Sequence, residues 1–213
     1  NKILSEGVPV TGRKPRFYFL GGGPGSGKTT IVRMLYKQGV LKQNETVYIN
    51  SDDIKVLDPI FINLTSIGEY RAAQVVHKDS SDMANVILDR AITSGFDIIL
   101  DAVMGSLDKA QKIIDRLVAS GYDISVIGIT VDCDIAIQRA SARAVKSMRY
   151  VPANVIIEGH DNFSKYFPIY AHVITSVLLF ENNGVAPVLI GKRDRNETLF
   201  QVLDDQQYTR FLQ

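Results

Sequence analysis

The chain has 213 residues, 46% of them apolar, which suffices for one α/β domain with additions and is too little for two full domains. Lysine and arginine total 24 against 23 aspartates and glutamates, and this near-neutral balance argues against a general nucleic-acid surface or a polybasic membrane surface. The single cysteine, Cys133, excludes an internal disulfide framework and suits a reducing, cytoplasmic setting, and no apolar run is long enough to predict a membrane span.

Residues 1–16 carry Gly7, Pro9, Gly12 and Pro15 with little periodicity, so an extended arm is expected there, too polar and basic for a signal peptide. Asn1 in place of Met predicts a processed chain or a segment of a longer one. Residues 17–20 are a short apolar run, expected as a strand buried on both faces. It leads directly into Gly22-Gly23-Pro24-Gly25-Ser26-Gly27-Lys28-Thr29, a full match to the phosphate-loop pattern G-x-x-x-x-G-K-[ST]. In such a loop the glycines let backbone N–H groups turn around phosphate oxygens, Lys28 reaches the β- and γ-phosphates, and the Thr29 hydroxyl can ligate Mg²⁺. Thr30 opens a helix whose positive end faces the same anion. ATP and Mg²⁺ are therefore the expected cofactors.

Residues 46–49 predict a second strand, ending at Asn50-Ser51-Asp52-Asp53. Residues 70–93 have the apolar spacing of one long, bent helix closed by Gly95, and residues 97–101 read as a strand ending in Asp101. A helix over 107–120, a strand over 124–131 and a helix over 134–147 follow, the last with Asp132 or Asp134 near its start; another helix starts at Pro152 and a last core strand is expected over 173–180. Strands alternating with helices predict a mostly parallel sheet covered on both faces, the phosphate-loop NTPase fold, with ligands at the carboxyl ends of the strands. Residues 17–180 form the expected kinase core. Residues 181–213, with the turn signal Asn182-Asn183-Gly184, strands over 188–190 and 198–203 and a helix over 205–212, predict a small C-terminal hairpin extension.

A phosphate loop alone leaves switches, motors and small-molecule kinases open, and three further features select among them. Asp52 and Asp53 follow the second strand, which is expected near the phosphate loop, so a carboxylate there can accept the proton of an attacking hydroxyl. Asp52 is assigned as that base and Asp53 as a cap of the next segment, against the competing reading that both only cap. Asp101 ends an apolar strand, where an acid holds Mg²⁺ through water, against a competing role as a loop cap. Arg139, Arg143 and Arg149 lie on or just beyond the 134–147 helix, where they can fold over phosphates as a lid; for any one of them a solvated helix face is the competing reading. His77, His160 and His172 lack metal-ligand spacing and read as surface or core histidines, and the spacing of Phe163, Tyr166, Phe167 and Tyr170 fits a buried helical face.

The phosphate loop, Tyr48-Ile49-Asn50-Ser51-Asp52-Asp53-Ile54-Lys55 with Pro59 after it, Ile98-Ile99-Leu100-Asp101, and Gln138-Arg139 followed by Met148-Arg149-Tyr150-Val151-Pro152 together resemble the zeta-toxin family of phosphate-loop kinases over residues 17–180. The resemblance implies a nucleotide-kinase-like fold, with Asp52 as catalytic base, Lys28 as the loop lysine, and Arg139 and Arg149 as lid arginines. It also implies phosphorylation of a sugar hydroxyl of UDP-N-acetylglucosamine and, for some members, silencing by a helical antitoxin protein. Two departures fall on the substrate side, where Asp53, Asn85 and Asp101 are the candidate contacts. Ala102-Val103 follow Asp101 where the family often has Gly-Thr, and Asn85 stands where an acidic contact is expected. Two other classes stay open, a nucleotide-dependent switch without phosphotransfer and a polynucleotide or tRNA kinase; the near-neutral charge and the lack of a basic, aromatic groove argue against the second.

Overall fold

A computed structural model describes residues 7–213. Five parallel strands, β1 (Arg16–Gly21), β2 (Thr46–Asn50), β3 (Asp97–Asp101), β4 (Asp123–Thr130) and β5 (Ser176–Glu181), lie in the order β2-β3-β1-β4-β5. Two antiparallel strands, β6 (Val188–Arg193) and β7 (Gln201–Val202), extend the same sheet at its β5 edge. The period-two alternation of each strand sets its two faces. Phe17 and Phe19 of β1 point into one cluster, and Leu20 with Tyr18 points into the other.

The helices cover the faces unequally. Ile31, Val32 and Leu35 of α1 (Lys28–Lys37), spaced as one helical stripe, pack on Leu20, Ile99, Ile127, Ile129 and Phe180. The other helices are α2 (Ser51–Lys55), α3 (Pro59–Ser66), α4 (Ala72–Val75), α5 (His77–Thr93), α6 (Leu107–Ala119), α7 (Cys133–Ser147), α8 (Ala153–Val173) and α9 (Asp205–Leu212), and four of them cover the larger face. Helices α5, α6, α8 and α9 contribute Leu88, Leu117, Phe163, Phe167 and Phe211 to that core. The aromatic spacing on α8 is thus a packing stripe, and Phe211 and Phe200 of the C-terminal segment stack edge-on against Phe167.

Several elements differ from their expected limits. The helix expected over 70–93 is broken at Val76, because α4 packs with Phe61 of α3 in a small separate cluster whereas α5 packs on the sheet. Val173 ends α8 instead of opening a strand, and only Gln201 and Val202 of the 198–203 run pair with β6. Residues 1–6 of the expected arm lie outside the described residues. The rest of the arm is fastened to the lower end of β3: Val10 N–H donates to the Gly95 carbonyl, and Arg13 forms a 2.6 Å ion pair with Asp97, which also accepts the Arg16 N–H at 2.7 Å. Among the described residues no helix is long and apolar enough to cross a membrane.

Register decides what stands at the top of the sheet. Leu20 pairs with Asp101, and Asp101 pairs with Asn50. The strand beside the phosphate loop is therefore β3, and β2 lies one position further out than the sequence reading assumed. Asp101 is the loop's neighbour, and the Asp52 side of the cleft faces it across β3.

Candidate active site

The loop between β1 and α1 is held in shape by close packing. Gly27 caps α1 in the left-handed region, φ 92°, and a Cβ there would lie 2.1 Å from Nδ2 of Asn182. Asn182, buried at the end of β5, donates to the Ser26 carbonyl at 2.8 Å. His160 on α8 is 8% exposed, and its Nε2 lies 3.0 Å from the Pro24 carbonyl oxygen. Burial holds its imidazole below the ordinary histidine value, against the opposing effect of the Pro24 contact. Among the described residues, the Ser26 hydroxyl is buried without a hydrogen-bond partner.

A cleft of about 1030 Å³ opens above this loop. Residues 24–29, Asp52, Asp53, Asp101, Arg139, Arg143 and Arg149 all line it, as do Tyr48, Asn50, Lys55, His77, Ala102, Val103 and Tyr150. The structure thus brings together every sequence-selected candidate from Pro24 to Thr29, both strand-end acids and all three arginines. Gly22 and Gly23 are buried beneath the loop, Thr30 is exposed on α1, and Gly22 adopts φ 138° with its would-be Cβ 2.4 Å from the Ile129 carbonyl oxygen. Asn85 is exposed on α5 and does not line the cleft; Gln74 and His77 supply the helix-side wall instead. His77 opens α5 at the cleft wall, and Asn85 lies about two turns further down the same helix.

On the loop side, Lys28 Nζ donates to the carbonyls of Gly22 (2.7 Å) and Gly23 (3.2 Å) and lies 3.7 Å from Asp101 Oδ1. Asp101 Oδ2 accepts from the Tyr48 hydroxyl (2.7 Å) and Asn50 Nδ2 (3.0 Å). Burial pushes the Asp101 carboxyl above its ordinary value, opposed by Lys28 and the Tyr48 hydrogen bond. Oδ1 is the oxygen left toward the loop. Thr29 and Asp101 give the hard oxygen donors that Mg²⁺ takes, and Mg²⁺ typically adds substrate phosphates and water to only one or two protein groups, so these residues fit that ion. Among the described residues no cluster of three His, Cys, Asp or Glu forms a separate metal cage.

On the opposite side, the cap of α2 is Asn50 rather than Asp53: its Oδ1 accepts the Asp52 N–H at 2.8 Å. This places Asp52 and Asp53 in the first turn of α2. Lys55 Nζ lies 2.8 Å from Asp52 Oδ1, and Arg143 Nη1 lies 4.0 Å from Asp52 Oδ2. Burial alone would raise the Asp52 carboxyl, and Lys55, Arg143 and Arg149 outweigh it, so it titrates below its ordinary value. Asp53 is more exposed and faces Arg149 at 3.7 Å. Arg139 Nη1 and Arg143 Nε are buried with no hydrogen-bond partner among the described residues. Arg139 Nη1 lies 3.9 Å from the position a Gly27 Cβ would take, so it stands over the phosphate loop. Buried guanidinium nitrogens are normally paired, and two unpaired ones lining the cleft above a phosphate loop mark an anion site.

A family model described as Zeta toxin matches residues 3–192. The chain belongs to the zeta-toxin family of phosphate-loop kinases. Among relatives, the chain is similar to the calmodulin calcium-dependent NAD kinase of Arabidopsis thaliana, 24% identical over 88% of this chain and 44% of that protein. Among solved structures, it is similar to the AvrRxo1-ORF1:-ORF2 complex with ATP, TM-score 0.74 and 16% identity, covering 94% of this chain and 64% of that one. A chain of the PezAT chromosomal toxin-antitoxin system of Streptococcus pneumoniae aligns with TM-score 0.66 and 18% identity, over 87% of this chain and 75% of that one. At these identities the two structural likenesses establish fold. The chain spans less than half the length of the Arabidopsis relative.

The structure adds Asn50, His160 and Asn182 to the site expected from the sequence. Asn50 carried a signal, since asparagine directly before an acidic helix start is a preferred cap. His160 and Asn182 carried none, because each reaches the loop from an element more than 130 residues away in the chain.

Proposed function

We propose that the protein transfers the γ-phosphoryl group of ATP to a hydroxyl of a nucleotide-derived small molecule. The observation that carries this reading is the pair of unpartnered guanidinium nitrogens of Arg139, over the phosphate loop, and Arg143, beside the Asp52 carboxylate, in one cleft. On ATP binding, Lys28 exchanges its bonds to the Gly22 and Gly23 carbonyls for the β- and γ-phosphates. Arg139, Arg143 and Arg149 bear on the charge that spreads over the transferring phosphoryl group. Asp52, ionised at neutral pH, takes the acceptor proton through Oδ2. Thr29 and Asp101 would hold Mg²⁺, which would supply neutralisation of the β- and γ-phosphate charge.

NAD is the first acceptor, supported by the NAD kinase relative that aligns over 88% of the chain and by the apolar wall of Ala102 and Val103 at the place of the family's Gly-Thr. UDP-N-acetylglucosamine is the second, supported by the zeta-toxin motifs. An antitoxin partner is supported by the fold likeness to the PezAT system; tight, stoichiometric inhibition by a co-expressed small protein would test it. The activity test is incubation with γ-labelled ATP and NAD, UDP-N-acetylglucosamine or RNA, with the product mass measured. Label on either nucleotide acceptor supports the reading. Label only on RNA would establish a polynucleotide kinase, and label on none a nucleotide sensor.

A further inference from the structure

The five-residue helix α2 carries a lysine that is only 6% exposed. Lysines are almost never buried unpaired, because the ammonium gives up its hydration shell. The partner of Lys55 is Asp52, one helical turn away, with Nζ 2.8 Å from Oδ1. The pair lies on the wall of the cleft. Oδ1 is therefore taken, and Oδ2 is the oxygen near Arg143.

We propose that Lys55 is the positioning residue for the catalytic base: it holds Asp52 by Oδ1 and turns Oδ2 to the acceptor hydroxyl. The inference rests on the reading of Asp52 as the base. In the step itself the acceptor oxygen forms its bond to the γ-phosphorus as the bond to the β,γ-bridging oxygen breaks. ADP leaves with that electron pair, and the hydroxyl proton passes to Asp52. With Lys55 on Oδ1 the proton has one landing site, and the carboxylate cannot rotate away from the acceptor. The charges around Asp52 come from every neighbouring element: Lys55 and Asp53 from α2, Arg143 from α7, Arg149 from the turn after it, His77 from α5 and Asp101 from β3. Lys55 is the nearest cation, and it also helps to hold the His77 imidazole below its ordinary value, after burial.

The test compares Lys55→Met, Lys55→Arg and Asp52→Asn in the full chain. Carbon-detected NMR titration of the Asp52 carboxyl in the nucleotide-free protein is expected to give a midpoint below the ordinary aspartate value in the wild type, moved up by at least about one pH unit in Lys55→Met and kept low in Lys55→Arg. In turnover, the kcat of Lys55→Met is expected to fall by about twofold or more between its high-pH plateau and about pH 5, where the wild type stays flat, with KM for ATP unchanged. A wild-type midpoint at or above the ordinary aspartate value overturns the role, even if Lys55→Met fails to fold. An inactive Asp52→Asn beside a Lys55→Met profile that matches the wild type overturns the Lys55 role alone. Full phosphotransfer by Asp52→Asn overturns the base reading and the Lys55 role with it.

Discussion

Replacing Gly23 by alanine sets one methyl group against the ring of His160. The added Cβ would lie 2.2 Å from Cδ2 and 2.4 Å from Nε2, well inside van der Waals contact. The ring has little room to retreat, because it is buried and its Nε2 is engaged with the Pro24 carbonyl at 3.0 Å. Gly23 is not among the positive-φ glycines, so alanine meets no backbone strain and the clash is the whole perturbation. Overpacking of this kind costs about 1–3 kcal/mol. The loop is the part able to shift, so the cost should fall on phosphate binding and weaken magnesium-ATP affinity by about tenfold to a hundredfold. His160→Ala alone removes the contact to Pro24 and should cost about 1 kcal/mol. The double variant Gly23→Ala/His160→Ala should bind ATP better than Gly23→Ala, a coupling of at least about 1 kcal/mol. Titration calorimetry on variants with native circular dichroism measures all three. Wild-type affinity in Gly23→Ala, or effects that simply add in the double variant, would refute this account of how the loop is seated.

Arg139→Ala should lower kcat by about a hundredfold or more with little change in acceptor KM, since its unpaired Nη1 is reserved for charge that peaks in the transition state; steady-state kinetics showing only a raised KM would reassign it to substrate binding. Asp52→Asn should lower phosphotransfer by about a hundredfold or more with ATP binding retained, and Asp53→Asn, which loses only an exposed contact to Arg149, should be much milder; exchanged phenotypes would move the base to Asp53. Asp101 carries the opposite sign in pH. Its folded-state value is raised, so the ionised carboxyl disfavours folding, by an amount that is absent at low pH and grows as pH rises through that value. Asp101→Asn should therefore hold or raise the Tm of the nucleotide-free protein at pH 7 while weakening magnesium-dependent ATP binding; a clear fall in Tm by scanning fluorimetry would show that Lys28 and Tyr48 make the charge net stabilising.

Local chemistry was legible wherever it is written in consecutive residues. The phosphate loop, the alternation of strands with helices, the acid ending Ile98-Ile99-Leu100 and the arginine spacing on α7 all follow from short-range pattern, because a strand's period, a helical face and a nest of glycine N–H groups are each built from neighbours in the chain. Asn85 shows the limit: the family resemblance placed it among the substrate contacts, and in the fold it is exposed on α5 and outside the cleft lining.

Sequence by itself determined that a phosphate loop follows a buried strand, that carboxylates end two other strands and that arginines follow the fourth. Tertiary structure alone decided which of these meet. Strand order put Asp101, not the Asp52 segment, beside the loop, and register aligned Leu20, Asp101 and Asn50. His160 and Asn182 close on the loop from α8 and the end of β5. The physical reason is that hydrogen-bond partners across a sheet and side chains buried beneath a loop are chosen by packing among distant segments, which no local spacing encodes.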